Sequence, residues 1–214
     1  MTAIALRRPD WSRALVLYRD DGLLARALAR LGSRRVPALA PLLAAAVPMA
    51  VLLCADGDEA PRGLVAAAVA WAVLAGGVSR GCSHDFSLAW LVPPAMRALE
   101  YGSVFGIAAA TSPDTPEAAY ALVAVVAFRH YDLVYRLKQR GEVPPAWVNR
   151  ASGGWDGRLV VACLLMLAGL LPAGMFALAG LLAIVLVGES VHGWVQFARA
   201  GHRVTEVEDG EDEG

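Results

Sequence analysis

The stretch Leu91-Val92-Pro93-Pro94-Ala95-Met96-Arg97-Ala98-Leu99-Glu100-Tyr101 puts an arginine and a glutamate inside an apolar run extending from Phe86 to Ala110. The pattern recurs. Arg129, His130 and Asp132 close the run Ala118–Val134, and Glu189 with His192 interrupt Met175–Ala198. A charge at the bilayer centre costs roughly 2.5–3.5 kcal/mol on insertion scales, so such residues pair inside a bundle or line a wet cavity. The expected fold is all-α, a polytopic membrane bundle with a polar interior.

Composition agrees. The 214 residues are 57% hydrophobic with a mean hydropathy of +0.49, too apolar for an ordinary soluble domain. The net charge of -1 conceals segregation, with eight arginines in the first 35 residues and six carboxylates between Glu206 and Glu213. The basic start leads into the charged stretch Trp11–Arg35, so no secretory signal peptide is expected. Cys54, Cys82 and Cys163 lie in separate segments without metal-ligand spacing and read as single thiols.

A spanning helix needs about 20 mostly apolar residues. Six candidates meet or approach this: Pro37–Ala55, Leu64–Val78, Phe86–Ala110, Pro116–Leu137, Leu159–Leu171 and Met175–Ala198. Leu171-Pro172-Ala173-Gly174 reads as a tight turn joining the last two. The basic N-terminal segment, Arg80, and the group Arg136, Lys138, Arg140, Arg150 and Arg158 fall on one side, which the positive-inside rule makes cytoplasmic. The acidic loop Asp56–Arg62 falls on the other. Both termini are thus expected in the cytoplasm, with the protein in the plasma membrane.

Residues 1–36 read as a cytoplasmic segment, 37–200 as the transmembrane domain, and 201–214 as an acidic disordered tail. Within the first segment, Leu24, Ala27, Leu28 and Leu31 recur at helical spacing. That helix either lies on an anionic leaflet or packs on the bundle.

Three polar clusters converge toward the cytoplasmic side. Tyr18-Arg19-Asp20-Asp21-Gly22, with Arg26, offers carboxylates that could hold a divalent ion or cap the following helix. In Arg129-His130-Tyr131-Asp132-Leu133-Val134-Tyr135-Arg136, the residues Arg129, Asp132 and Arg136 share a helix face that suits a phosphate, or else anchors the helix at the interface. Gly153-Gly154-Trp155-Asp156-Gly157-Arg158 could let backbone approach a ligand, or supply an interfacial tryptophan and a cap for the next helix. Arg97 and Glu100, spaced i, i+3, are expected to pair, with Glu189 as a second carboxylate. Counting from Phe86, Arg97 lies about 16 Å along its helix, near mid-membrane. Pro93-Pro94 is expected to kink that helix and free carbonyls toward a cavity.

The layout resembles the CDP-alcohol phosphotransferases across almost the whole chain. Leu31-Gly32-Ser33-Arg34-Arg35-Val36-Pro37 stands where that family enters its first span. Leu91–Tyr101 resembles its Leu-Asp-x-x-x-Asp-Arg-x-x-Glu-Tyr segment. The family's four metal-binding acids are not matched: Val92 and Met96 occupy the later two positions, and Leu74–Arg80 lacks the earlier two. Asp21-Gly22-Leu23-Leu24-Ala25-Arg26 does match Asp-Gly-x-x-Ala-Arg, but it precedes the first span and lacks the rest of the signature. Arg129-His130-Tyr131-Asp132 with Tyr135-Arg136, and Gly153–Arg158, resemble the hallmarks of an actinobacterial membrane domain of unknown function, one often fused to CDP-alcohol phosphotransferases.

These resemblances imply a divergent or accessory component of phospholipid or phosphate head-group assembly at the cytoplasmic leaflet. Arg129, Arg136, Trp155, Asp156 and Arg158 would bind the substrate, and Asp132 and His130 would be the candidate catalytic pair. The cofactor is left open: Asp156 could serve as a second carboxylate or a ligand to a divalent metal, although the family's metal motif is missing. Expected partners are membrane lipid and a CDP-alcohol phosphotransferase or a second copy, with no nucleic acid. Two alternatives stand beside this reading: a non-catalytic subunit stabilising a true phosphotransferase, and a small transporter using Arg97, Glu100 and Glu189.

Overall fold

A computed structural model describes residues 18–54, 60–111, 115–139 and 145–211. Among these the regular structure is helical: α1 (Leu23–Leu28, continued by a 3-10 turn over Ala29–Leu31), α2 (Leu39–Cys54), α3 (Arg62–Ser79), α4 (Val92–Ala109, preceded by a 3-10 turn over Ala89–Leu91), α5 (Pro116–Gln139), α6 (Ala146–Ala151), α7 (Gly154–Leu167) and α8 (Leu171–Glu211). One isolated parallel bridge, Pro37 to Ser83, ties the start of α2 to the loop after α3.

α4 lies at the centre. It packs against α2, α3, α5 and α7, while α5 pairs with α8 and α7 joins α3 to α8. Small residues permit this closeness: Ala45, Ala68, Ala72, Ala108, Ala118, Ala119, Ala162 and Ala179 are buried between helices. A Cβ on Gly106 would come within 2.2 Å of Met49 Sδ, so the α2–α4 contact depends on that glycine. Cys54, Cys82 and Cys163 are free thiols.

Two helices, Arg62–Ser79 and Leu171–Phe197, are long and apolar enough to cross a membrane, and Leu39–Cys54 is a shorter apolar helix. The other four expected spans do not meet that length and composition. α2, with 16 residues, and α7, with 14, extend only about 24 and 21 Å, against a hydrocarbon core of about 30 Å. α4 and α5 carry the buried charges.

Several expected boundaries are corrected. Pro93 and Pro94 occupy the first turn of α4, where their missing N–H groups have no helical partner to lose, so they start the helix and do not kink it. Arg97 is then only about 8 Å from the start of α4 and not near its middle. Leu171–Gly174 is the first turn of α8. The preceding turn is instead made at Gly169, whose φ of 73° closes α7 as Leu170 N–H reaches Leu165 O at 2.9 Å. α8 continues to Glu211 through most of the tail read as disordered, since extending a formed helix requires no new nucleus.

α1 packs on the bundle through Ala25, which is fully buried, whereas Leu31, expected on the same apolar stripe, is exposed.

Candidate functional site

The loop before α1 is the keystone of a buried charge cluster. Arg19, fully buried, bonds Asp21 Oδ2 at 3.0 Å and donates to Ser79 Oγ at 2.9 Å and Gly76 O at 3.2 Å. Arg80 meets the same Asp21 oxygen at 2.5 Å, and Trp155 Nε1 donates to Asp21 Oδ1 at 2.9 Å. The Trp155 ring fits because Gly76 has no side chain, since a Cβ there would lie 2.6 Å from the indole. Burial would raise the Asp21 carboxyl, but Arg19, Trp155 and Arg80 outweigh it and hold it low.

Asp20 adopts a left-handed backbone with φ 51°, a conformation that Asp tolerates better than most residues. Its carbonyl accepts the Trp155 N–H at 3.0 Å, and its carboxylate accepts from Arg158 Nη2 at 2.8 Å. Arg158 also donates from Nε to Glu100 Oε1 at 2.8 Å, and Arg97 meets Glu100 Oε2 at 2.7 Å. Arg97 further contacts the Tyr18 carbonyl and the His130 ring, and Tyr101 Oη lies 2.7 Å from His130 Nδ1. Burial pushes the Asp20 carboxyl up, yet Arg158, His130 and Arg97 together hold it well below the usual carboxylate range.

Asp156 caps a helix, but not its own. Its Oδ1 accepts from Gly22 N–H at 2.6 Å, and its Oδ2 accepts from Leu24 and Ala25 N–H at 2.9 and 3.1 Å. The cap on α1 thus comes from α7, where Asp20 or Asp21 was the expected source. Close approach makes it possible: a Cβ on Gly154, whose φ is 70°, would lie 2.3 Å from Gly22 N.

A second cluster joins α5 to α8. Arg136 pairs with Asp132 at 2.9 Å and with Glu189 at 2.8 Å, and Ser190 Oγ donates to Asp132 Oδ1 at 2.9 Å. Glu189 is therefore the counter-ion of Arg136 and does not join the Arg97–Glu100 pair as expected, because α8 packs along α5 and not against α4. Arg129, only 2% exposed, donates from Nη2 to Asn149 Oδ1 at 2.7 Å, but among the described residues Nε and Nη1 have no hydrogen-bond partner and no carboxylate lies within ion-pair distance, the charges of Asp20, Glu189 and Asp132 acting on it from further off. Arg136 Nη2 is also without a partner.

The residues expected to share one phosphate pocket are thus divided. Trp155, Asp156 and Arg158 serve the loop before α1 and α4. Arg129, Asp132 and Arg136 sit on one buried face of α5, with Asp132 and Arg136 tied to α8. Arg158 and Asp156 are fully engaged by protein groups, so the structure gives them no free donor or acceptor for a substrate. His130 belongs to the first cluster, where its ring meets Arg97 and Tyr101 and lies 3.7 Å from Asp20 Oδ2. Among the described residues, no three His, Cys, Asp or Glu side chains converge as a metal would require. Asn149 was not anticipated, and a lone Asn on the six-residue α6 gives no sequence signal. Arg19 stood in a noted cluster, but its burial could not be read there.

Fold and site together define an all-helical bundle whose polar seam is almost completely ion-paired. The chain belongs to the family of unknown function DUF5941, whose model matches residues 10–212. No curated protein and no solved structure matches it.

Proposed function

We propose that this protein is a six-span membrane protein, with both termini cytoplasmic, that binds a phosphate-bearing lipid head group or donor through Arg129. It would act as an accessory or divergent component of head-group assembly, by binding and not by catalysis. A girdle of outward apolar side chains supports the membrane placement: Leu43, Val47 and Val51 on α2, Leu164 on α7, and Leu181 and Ile184 on α8 are all exposed. Tyr135 and Trp194 stack at the cytoplasmic end of α5 and α8, the level of an aromatic belt.

The observation that carries the binding reading is Arg129. Leaving three of its five N–H donors unmet in a buried site is costly, and a phosphate is the acceptor whose geometry suits a guanidinium. Arg136 Nη2, two turns along the same face, offers a further free donor. The binding reading is preferred to catalysis because Asp20, Asp21, Asp132 and Asp156 are all held by cations or backbone N–H groups. None is poised as a base.

The test is thermal stabilisation of the detergent-solubilised protein by inorganic pyrophosphate and, separately, by a short-chain phosphatidic acid, at low and high salt. Stabilisation by both probes indicates phosphate recognition, and stabilisation by the lipid alone indicates a head group. Arg129→Lys should weaken binding by about tenfold or more, since charge-assisted bonds worth about 1.5–3 kcal/mol each are lost. Arg129→Gln should abolish it, because the neutral amide offers neither the charge nor the planar fork. Unchanged stabilisation of Arg129→Gln would sink the phosphate site and put the partner-subunit reading first.

A further inference from the structure

Beneath α1, between α3 and α7, a cleft of about 390 Å³ is walled by Leu24, Leu28, Val69, Val73, Val160 and Leu164, with no charged side chain in its lining. It runs along α3 from Ala66 to Leu74, about 12 Å parallel to the helices at 1.5 Å per residue. The helix that roofs it carries the opposite chemistry: Arg26 and Arg30 on α1 are exposed, as are Arg34 and Arg35 in the segment that follows, and residues 22–37 contain no carboxylate. Leu23, 80% exposed, and Leu31 project from α1 beside them.

We propose that this cleft holds one acyl chain of an anionic phospholipid whose head group is met by the arginines of α1 and the segment after it. The slot is apolar, elongated and aligned with the spanning helices, and the charge at its rim complements an anionic head group. Neutral lipid would fill the slot but leave the arginines without a counter-charge. The proposal depends on the membrane placement proposed above but not on the Arg129 site, which lies at the α5–α6 junction.

The full chain would be placed in vesicles of equal parts phosphatidylglycerol and phosphatidylcholine, with photoreactive benzoylphenylalanine at Leu164 in the cleft or at Ile184 outside it. The Leu164 probe should capture phosphatidylglycerol preferentially, and the Ile184 probe should capture both lipids equally. A second cleft probe at Ala70 should repeat the Leu164 result and guards against one misfolded variant. Arg26→Gln and Arg30→Gln should each reduce the preference, by roughly fivefold per arginine engaged. Preference at Leu164 alongside a failed pyrophosphate titration and a phosphatidic acid response unchanged by Arg129→Gln would leave this site standing without the Arg129 site. Equal capture of both lipids at Leu164 and Ala70, or capture there of a second copy or of residues 1–17, would overturn it.

Discussion

Glu100 neutralises two guanidinium groups with one carboxylate, and its removal leaves Arg97 without its ion-pair partner and Arg158 with Asp20 alone. Glu100→Ala should cost about 3–5 kcal/mol of stability in detergent unfolding. The double change Arg97→Ala with Glu100→Ala should cost less, because Arg158 still keeps Asp20. A double variant worse than the single would refute the pairing. Acid should weaken the fold in two stages. Burial and the nearby Arg19 push the His84 imidazole down, with Nδ1 bonded to the Cys82 carbonyl. A lowered folded value means that its contribution is complete above its unfolded value of about 6.5 and is lost as pH falls below it. Asp20 and Asp21, also held low, lose theirs only below about pH 4. In unfolding midpoints followed against pH, His84→Gln should reduce the first stage and Asp20→Asn should reduce the second. The Arg97–Glu100 pair was legible because i, i+3 spacing is local. Its second partner, Arg158, was not, since only the packing of α7 on α4 brings it near.

Among the elements, α1 depends most on the others. A six-residue helix is too short to persist alone, and its N-terminal N–H groups are satisfied from α7. Asp156→Ala should cost about 1–3 kcal/mol and should speed tryptic cleavage at Arg26–Arg35. Gly22→Ala should do the same, since its Cβ would lie 2.2 Å from Gly153 O. Cleavage at the unaltered rate in both variants would show that the cap does not hold α1. Helix positions were legible from apolar run length, but their ends were not. A proline pair signals a helix start as readily as a kink, and only the 3-10 turn over Ala89–Leu91 shows which applies here.

At the scale of the whole molecule, the proposed orientation rests on loop charge alone. With Cys54, Cys82 and Cys163 replaced, a cysteine introduced at Asp58 should react with an impermeant label from outside the cell, and one at Gln139 should not. The reverse would discard the topology. Helical class could be read along the chain. The separation of the Arg129 and Gly153 motifs into two clusters could not, because it follows from α8 claiming the face of α5 that bears Asp132 and Arg136.

The bonds from Trp155, Asp156 and Arg158 to Asp20, Asp21 and α1 link residues more than 130 positions apart. During synthesis the amino-terminal segment therefore emerges long before its counterparts. Asp20 and Asp21 must wait, hydrated and with only their nearby arginines, until α7 has been translated. The segment before α1 is consequently among the last to be fixed. A nascent chain stalled before Gly153 would present it as an open handle to proteases, and burial of that handle would mark completion of the bundle.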